Sequence, residues 1–135
     1  MSKTLVDTDI LSLLMRQHSG VVFSATEYLQ SYSQLSFSIV TRYEILRGLK
    51  LKNAQKQLSA FNVFCQASEI ITISEQTINI ASSIYANLRQ GGEIIGDADI
   101  LIAATALEHN LILATNNERH FARISNLIID NWSKT

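Results

Sequence analysis

The chain has 135 residues, 47% hydrophobic and 17% charged, with no block of like charge, which excludes a disordered protein and leaves room for one globular domain, residues 1–135. Its net charge of -1 excludes general electrostatic capture of nucleic acid, so any such contact must be local. The single cysteine, Cys65, excludes an intramolecular disulfide. It lies in the apolar stretch FNVFCQA, where a buried thiol suits a reducing, cytoplasmic setting. No apolar run approaches the roughly 20 residues of a membrane span. The first residues, MSKTLVDTDILSLLMRQHS, carry acids within the apolar run and no small-residue cleavage site, so neither a secretory signal nor a membrane partner is expected.

Short apolar runs alternate with longer segments of helical period, which predicts an α/β fold with a largely parallel sheet. A first strand is expected over residues 4–6, then helices over 9–17 and 25–33. A second strand over 36–39 precedes helices over 41–50 and 54–67. The third strand spans 70–73, and Ser74 ahead of Glu75 and Thr77 reads as the N-cap of a helix over 75–90, stopped at Gly91-Gly92. A last long helix over 97–110 feeds a fourth strand over 111–114. The segment NERHF reads as a turn before a fifth strand over 127–129.

In open α/β sheets ligands bind at the carboxyl ends of strands. Polar residues follow three of them here: Asp7-Thr8-Asp9, then Thr41 and Glu44, and Thr115-Asn116-Asn117. Asp97 and Asp99 open the helix before the fourth strand and join this group when their helix end faces the same sheet edge. Gathered carboxylates repel one another unless a cation neutralises them, and hard oxygen donors select Mg2+ or Mn2+. Phosphodiester cleavage is the chemistry that most needs such a site. No Ser or Cys partnered with a His stands out as a nucleophile.

Each acid has a plainer reading too. Asp7 and Asp9 can cap the first helix, Thr41 and Glu44 match a capping box, and Asp97 and Asp99 suit an N-cap and a first-turn acid. Asn116 and Asn117 can cap the NERHF turn. Only the combination favours metal. His18, His109 and His120 lie near helix ends without shared ligand spacing and read as solvated or capping groups. Trp132 reads as a packing anchor. The basic cluster Arg42, Arg47, Lys50, Lys52 and Lys56 is either a solvated helix face or a phosphate-steering patch.

Four segments, LVDTDIL, SIVTRYEILRGL, GGEIIGDADILIAATALEHNLILATNNERHF and LIIDNW, in this order and spacing, resemble the PIN-domain family, in particular its VapC-type toxins. The resemblance spans nearly the whole chain and implies a three-layer α/β/α fold with a mostly parallel central sheet of four to five strands. It implies that Asp7, Glu44 and Asp99 are acidic metal ligands, with Asn117 where many relatives have a fourth acid. Thr8 and Thr115 would support them, with Asn116 and Asp97 nearby. Asp9 stands where relatives often have Asn and adds charge. Ala103, Ala104 and Ala106 would let the last long helix pack closely. Arg42, Arg47 and Lys50 would meet RNA. The implied activity is Mg2+- or Mn2+-dependent endonucleolytic cleavage of RNA by water, in a homodimer silenced by a cognate VapB-like antitoxin. Two rival readings stand beside it: a PIN-like interaction module without turnover, and a haloacid-dehalogenase-type phosphatase with Asp7 as nucleophile and Asp9 as acid/base, whose usual Lys motif is missing before Gly96.

Overall fold

The computed structural model describes residues 2–134. Five short strands, β1 (Thr4–Val6), β2 (Ser36–Ser38), β3 (Glu69–Ile71), β4 (Ile112–Ala114) and β5 (Ile129–Asp130), form one sheet in the order β3-β2-β1-β4-β5. Every pairing is parallel, with Leu5 opposite both Ser36 and Leu113. The first strand in sequence is therefore the middle strand of the sheet, buried at all three positions.

Successive strand side chains point to opposite faces, and the core divides accordingly. Leu5 and Leu113 join one cluster with Ile102, Ala103, Ala104 and Ala106 of α6 (Asp97–Glu108) and Ala81, Ile84 and Leu88 of α5 (Glu75–Gln90). Val6 and Ala114 join the other, with Ile10 and Leu11 of α1 (Thr8–Met15), Val21, Ala25 and Tyr28 of α2 (Ser19–Tyr28), Ile45 of α3 (Ile39–Leu51), and Phe61 and Cys65 of α4 (Gln55–Gln66). This is the three-layer arrangement with the five-stranded parallel sheet. Trp132, in a terminal 3-10 turn (Trp132–Lys134), closes the second cluster against Tyr28, ring centroids 5.6 Å apart, and Tyr28 in turn stacks on Tyr32 at 4.6 Å. The Tyr28 hydroxyl accepts from the backbone N–H of Thr4 at 3.1 Å, so α2 is tied to the start of β1.

Several boundaries differ from expectation. The second helix begins at Ser19, not residue 25, because His18 caps it through Nδ1, which accepts from the Val21 N–H at 3.3 Å. Gly20, Val21 and Val22 are weak helix formers, and burial of Gly20 and Val21 overrides that preference. The helix after β2 begins at Ile39, capped by Ser38, whose Oγ accepts from Val40 N–H at 3.0 Å. Thr41 is thus inside the helix, and the capping box expected at Thr41 and Glu44 does not form. At the start of α6 the cap is Gly96, so Asp97 is its first residue and not its N-cap. The NERHF turn is a four-residue helix, α7 (Glu118–Phe121). The N-cap at Ser74 forms as read, and Thr77 completes a capping box with it.

Ser38 is fully buried, and its hydroxyl is the only side-chain cap on the helix that carries Glu44. Ser38→Ala is expected to lower unfolding free energy by about 1 kcal/mol, read as a lower denaturant midpoint at unchanged slope. An unchanged midpoint would show that the cap does not hold the helix start.

Candidate active site

β1 leads directly into Asp7, the N-cap of α1. Its Oδ1 accepts from the Thr8 N–H at 2.8 Å, and its Oδ2 accepts from the Thr115 hydroxyl, at the end of β4, also at 2.8 Å. Thr115 Oγ1 accepts in turn from the Asn117 N–H at 2.9 Å, so Asp7 is braced by the two central strands. The carboxyl is 4% exposed. Burial first, then the nearby Asp9, and more weakly Asp99, push its pKa up to about 7, against the lowering effect of its two hydrogen bonds.

Asp9, in the first turn of α1, accepts from the Asn116 N–H through Oδ2 at 3.0 Å. Its other oxygen, Oδ1, is buried and has no hydrogen-bond partner among the described residues. Burial is the main cause raising its pKa, and Asp99 adds to it. Asp99 lies in the first turn of α6, and its Oδ2 is 3.7 Å from Nδ1 of His120. That Nδ1 is 2.8 Å from the Asn117 amide nitrogen, so with the amide donating the ring accepts. The helix end carrying Asp99 therefore does face the sheet edge of Asp7.

Glu44 approaches from α3. Its Oε1 accepts from the Thr8 hydroxyl at 2.6 Å, and Thr41 Oγ1 lies 2.9 Å from the same hydroxyl. Thr8 has one proton, and the carboxylate is the stronger acceptor, so Thr41 donates to Thr8 and Thr8 to Glu44. Arg47 sits 3.7 Å from Oε2 of Glu44 and over the Tyr43 ring at 5.1 Å. Arg42 instead turns to α4, donating to Cys65 Sγ and Asn62 Oδ1 and covering Phe61. Lys50 is exposed in the last turn of α3. Asp97 is exposed and lines a shallow groove between α5 and α6.

The structure therefore brings Asp7, Asp9 and Asp99 together, joins Glu44 to them through Thr8, and sets Asn116 and Asn117 on the rim. His120, read from the sequence as a solvated or capping group, borders Asp99 instead. Its signal was the spacing of three from Asn117, which puts both on one face once α7 is a helix. Asn131 and Ser133 were missed in the sequence: Asn131 donates to Asn116 Oδ1 at 3.1 Å, and the Ser133 hydroxyl lies 2.6 Å from Asn131 Oδ1 and 3.0 Å from Asn116 Oδ1, so the terminal turn supports the loop that contacts Asp9.

Among the described residues no three His, Cys, Asp or Glu side chains close on a single point. Mg2+ keeps several waters and takes only one or two protein carboxylates directly, so it does not need an all-protein cage. The orphaned Asp9 Oδ1 and the reluctance of Asp7 to ionise are what a buried oxygen cluster shows when its charge lacks a counter-ion. The donor set fits a hard divalent cation.

A family model described as PIN domain matches residues 4–127. The chain is similar to Ribonuclease VapC2 of Rickettsia felis, 32% identical over 131 residues covering 96% of this chain and 98% of that protein. It is also similar to Ribonuclease VapC1 of Methanocaldococcus jannaschii, 35% identical over 123 residues, 91% of this chain and 82% of that protein. The crystal structure of VapBC2 from Rickettsia felis bound to a DNA fragment from their promoter matches with a TM-score of 0.85 at 30% identity, covering 96% of this chain and 98% of the matched one. That of DNA-bound VapBC from Salmonella typhimurium matches with 0.85 at 25% identity, covering 98% and 99%. With the family model spanning most of the sequence and the acids converging where the strands end, this chain belongs to the PIN domain family.

Proposed function

We propose that the protein is an endoribonuclease, the VapC-type toxin of a toxin-antitoxin pair, that hydrolyses RNA phosphodiesters with Mg2+ or Mn2+ at Asp7 and Asp99. The observation that carries the reading is the buried Asp7 carboxyl, raised to about 7 beside Asp9 and Asp99, at the carboxyl ends of the central strands. Asp7 and Asp99 would hold the cation directly, with Glu44, oriented by the Thr8 hydroxyl, as the further acid beside them. A bound divalent cation would neutralise these acids, lower the pKa of water and balance the charge that builds on phosphorus. Thr8 and Thr115 hold the carboxylates in orientation, and His120 and Asn117 border Asp99 where the RNA backbone must pass. The relatives named VapC and the VapBC complexes support an RNA substrate and a VapB-like antitoxin. A cytoplasmic homodimer belongs to the same reading. Membership of the PIN family leaves the phosphatase alternative without support.

The test is cleavage of total RNA by purified, antitoxin-free protein. Cleavage with Mg2+, none with EDTA and none by Asp99→Asn is expected. Absence of cleavage by the folded wild-type protein would overturn the proposal in favour of a non-catalytic interaction module.

Cation binding must displace the proton that Asp7 retains below about pH 7. Mg2+ affinity is therefore expected to rise toward tenfold per pH unit between about pH 5 and 7 and to level off above, with proton release visible as a buffer-dependent heat in calorimetry. Equal affinity at pH 5.5 and pH 8 would remove Asp7 from the ligand set.

A further inference from the structure

A groove of about 430 Å³ leaves the acidic site between α1 and α3 and runs toward the start of α4. Thr8 and Glu44 form its inner end, so it is continuous with the site. Its floor is apolar, with Met15, Ile45 and Leu49, and its far walls carry Arg16 and Lys52. Both cations are exposed, and among the described residues neither makes an ion pair or a side-chain hydrogen bond. The basic residues nearer Glu44 are already engaged, Arg47 on Glu44 itself and Arg42 on α4.

Gly48 completes the groove wall and lies in the interior of α3. Glycine is the poorest helix former after proline, and its usual justifications are a left-handed turn or a close approach of backbone. Neither applies within this chain: Gly48 has no positive φ, and a Cβ added there meets nothing within 4 Å. The space it leaves borders the groove.

We propose, resting on the ribonuclease reading above, that this groove seats the RNA strand adjoining the phosphate being cleaved. Arg16 and Lys52 contact its phosphates, the apolar floor receives a base, and Gly48 is kept bare for the strand's close approach. Cations without an acidic partner beside an apolar floor are complementary to a single strand, which carries backbone charge on one side and apolar base faces on the other, although the floor here is aliphatic and not an aromatic stacking platform. A neutral or basic peptide would leave both cations without a partner. Arg16 and Lys52 are also the C-cap residues of α1 and α3, where positive charge favours the helix end. That role predicts a lower melting temperature and no change in RNA binding when they are neutralised.

The experiment measures anisotropy of a fluorescein-labelled single-stranded decaribonucleotide on the full chain, across a salt series, with Ca2+ neutralising the carboxylates and intact RNA verified on gels. The double variant Arg16→Gln, Lys52→Gln is expected to reduce the slope of log affinity against log salt by about 1.4, since each phosphate contact to a single strand contributes about 0.7. Gly48→Leu is expected to weaken binding by roughly tenfold, one base's worth of contact, while melting no lower than wild type. Both variants keep every acid of the site. Wild-type slope and affinity in both variants, from a protein that still cleaves total RNA with Mg2+, overturn the groove assignment and leave the ribonuclease reading intact. Variants that retain RNA binding but no longer retain the co-expressed antitoxin assign the groove to a peptide and equally overturn it. A wild-type chain that neither binds nor cleaves RNA overturns both.

Discussion

Asp7→Asn is expected to abolish RNA cleavage, by on the order of 100-fold or more, and at the same time to make the metal-free protein more stable at pH 8. The two effects share one cause. In the fold Asp7 holds its proton up to about pH 7, whereas the unfolded carboxyl releases it near 3.8. Between those values the native state binds more protons than the unfolded state, so stability falls as pH rises, and above about 7 the full penalty is present. Each pKa unit corresponds to ~1.4 kcal/mol, which makes the ionised carboxylate cost the metal-free fold roughly 4 kcal/mol. Asparagine removes the charge but places an amide or a single carbonyl opposite both the Thr8 N–H and the Thr115 hydroxyl, one of which then loses an acceptor. About half the cost is recovered, or ~2 kcal/mol, raising Tm by roughly 6–10 °C at pH 8. The gain shrinks to nothing near pH 4, where wild-type Asp7 is protonated as well. Paired thermal melts at pH 4 and 8 in EDTA decide it: a variant no more stable at pH 8 than wild type would show that the carboxyl is not a strained charge.

Trp132→Ala has the larger effect on folding. The indole is 3% exposed, packs against Tyr28 and belongs to the cluster that includes Val6 and Phe37. Truncation of a buried tryptophan costs about 3–5 kcal/mol, a large share of the roughly 5–15 kcal/mol that holds a domain together. The flanking Asn131 and Ser133 are positioned by that anchor, and they hold Asn116, whose N–H contacts Asp9. A Tm lowered by roughly 10–20 °C is expected, with accelerated hydrogen exchange at Asn116. A loss under about 1 kcal/mol would mean that the terminal turn merely rests on the surface.

The alternation of strand-length and helix-length segments disclosed the layers, and the polar strand ends together with the PIN resemblance pointed to Asp7, Glu44 and Asp99. What stayed hidden has a common physical origin, namely contacts made far along the chain. Ser19 to Ser24 reads against helix because Gly20, Val21 and Val22 disfavour it locally, and only packing reverses the balance. Ile39 reads as strand and Val40 falls outside the expected helix because β-branched residues favour sheet, while the cap hydroxyl of Ser38 has no signature distinguishing it from Thr41. The bridge from Thr41 through Thr8 to Glu44 spans 33 and 36 residues, and the Asn131 and Asn116 contact joins two loops. His120 came into view only when a four-residue helix, too short to show a period, turned it toward Asp99.

The middle place of the first strand has a bearing on synthesis. β1 leaves the ribosome first but gains its second neighbour, β4, only when residues 112–114 have been made. Asp7 acquires its brace from Thr115, which lies 108 positions later. A growing chain therefore lacks both the Thr115 brace on Asp7 and the β4 neighbour of β1 until that late segment has been made.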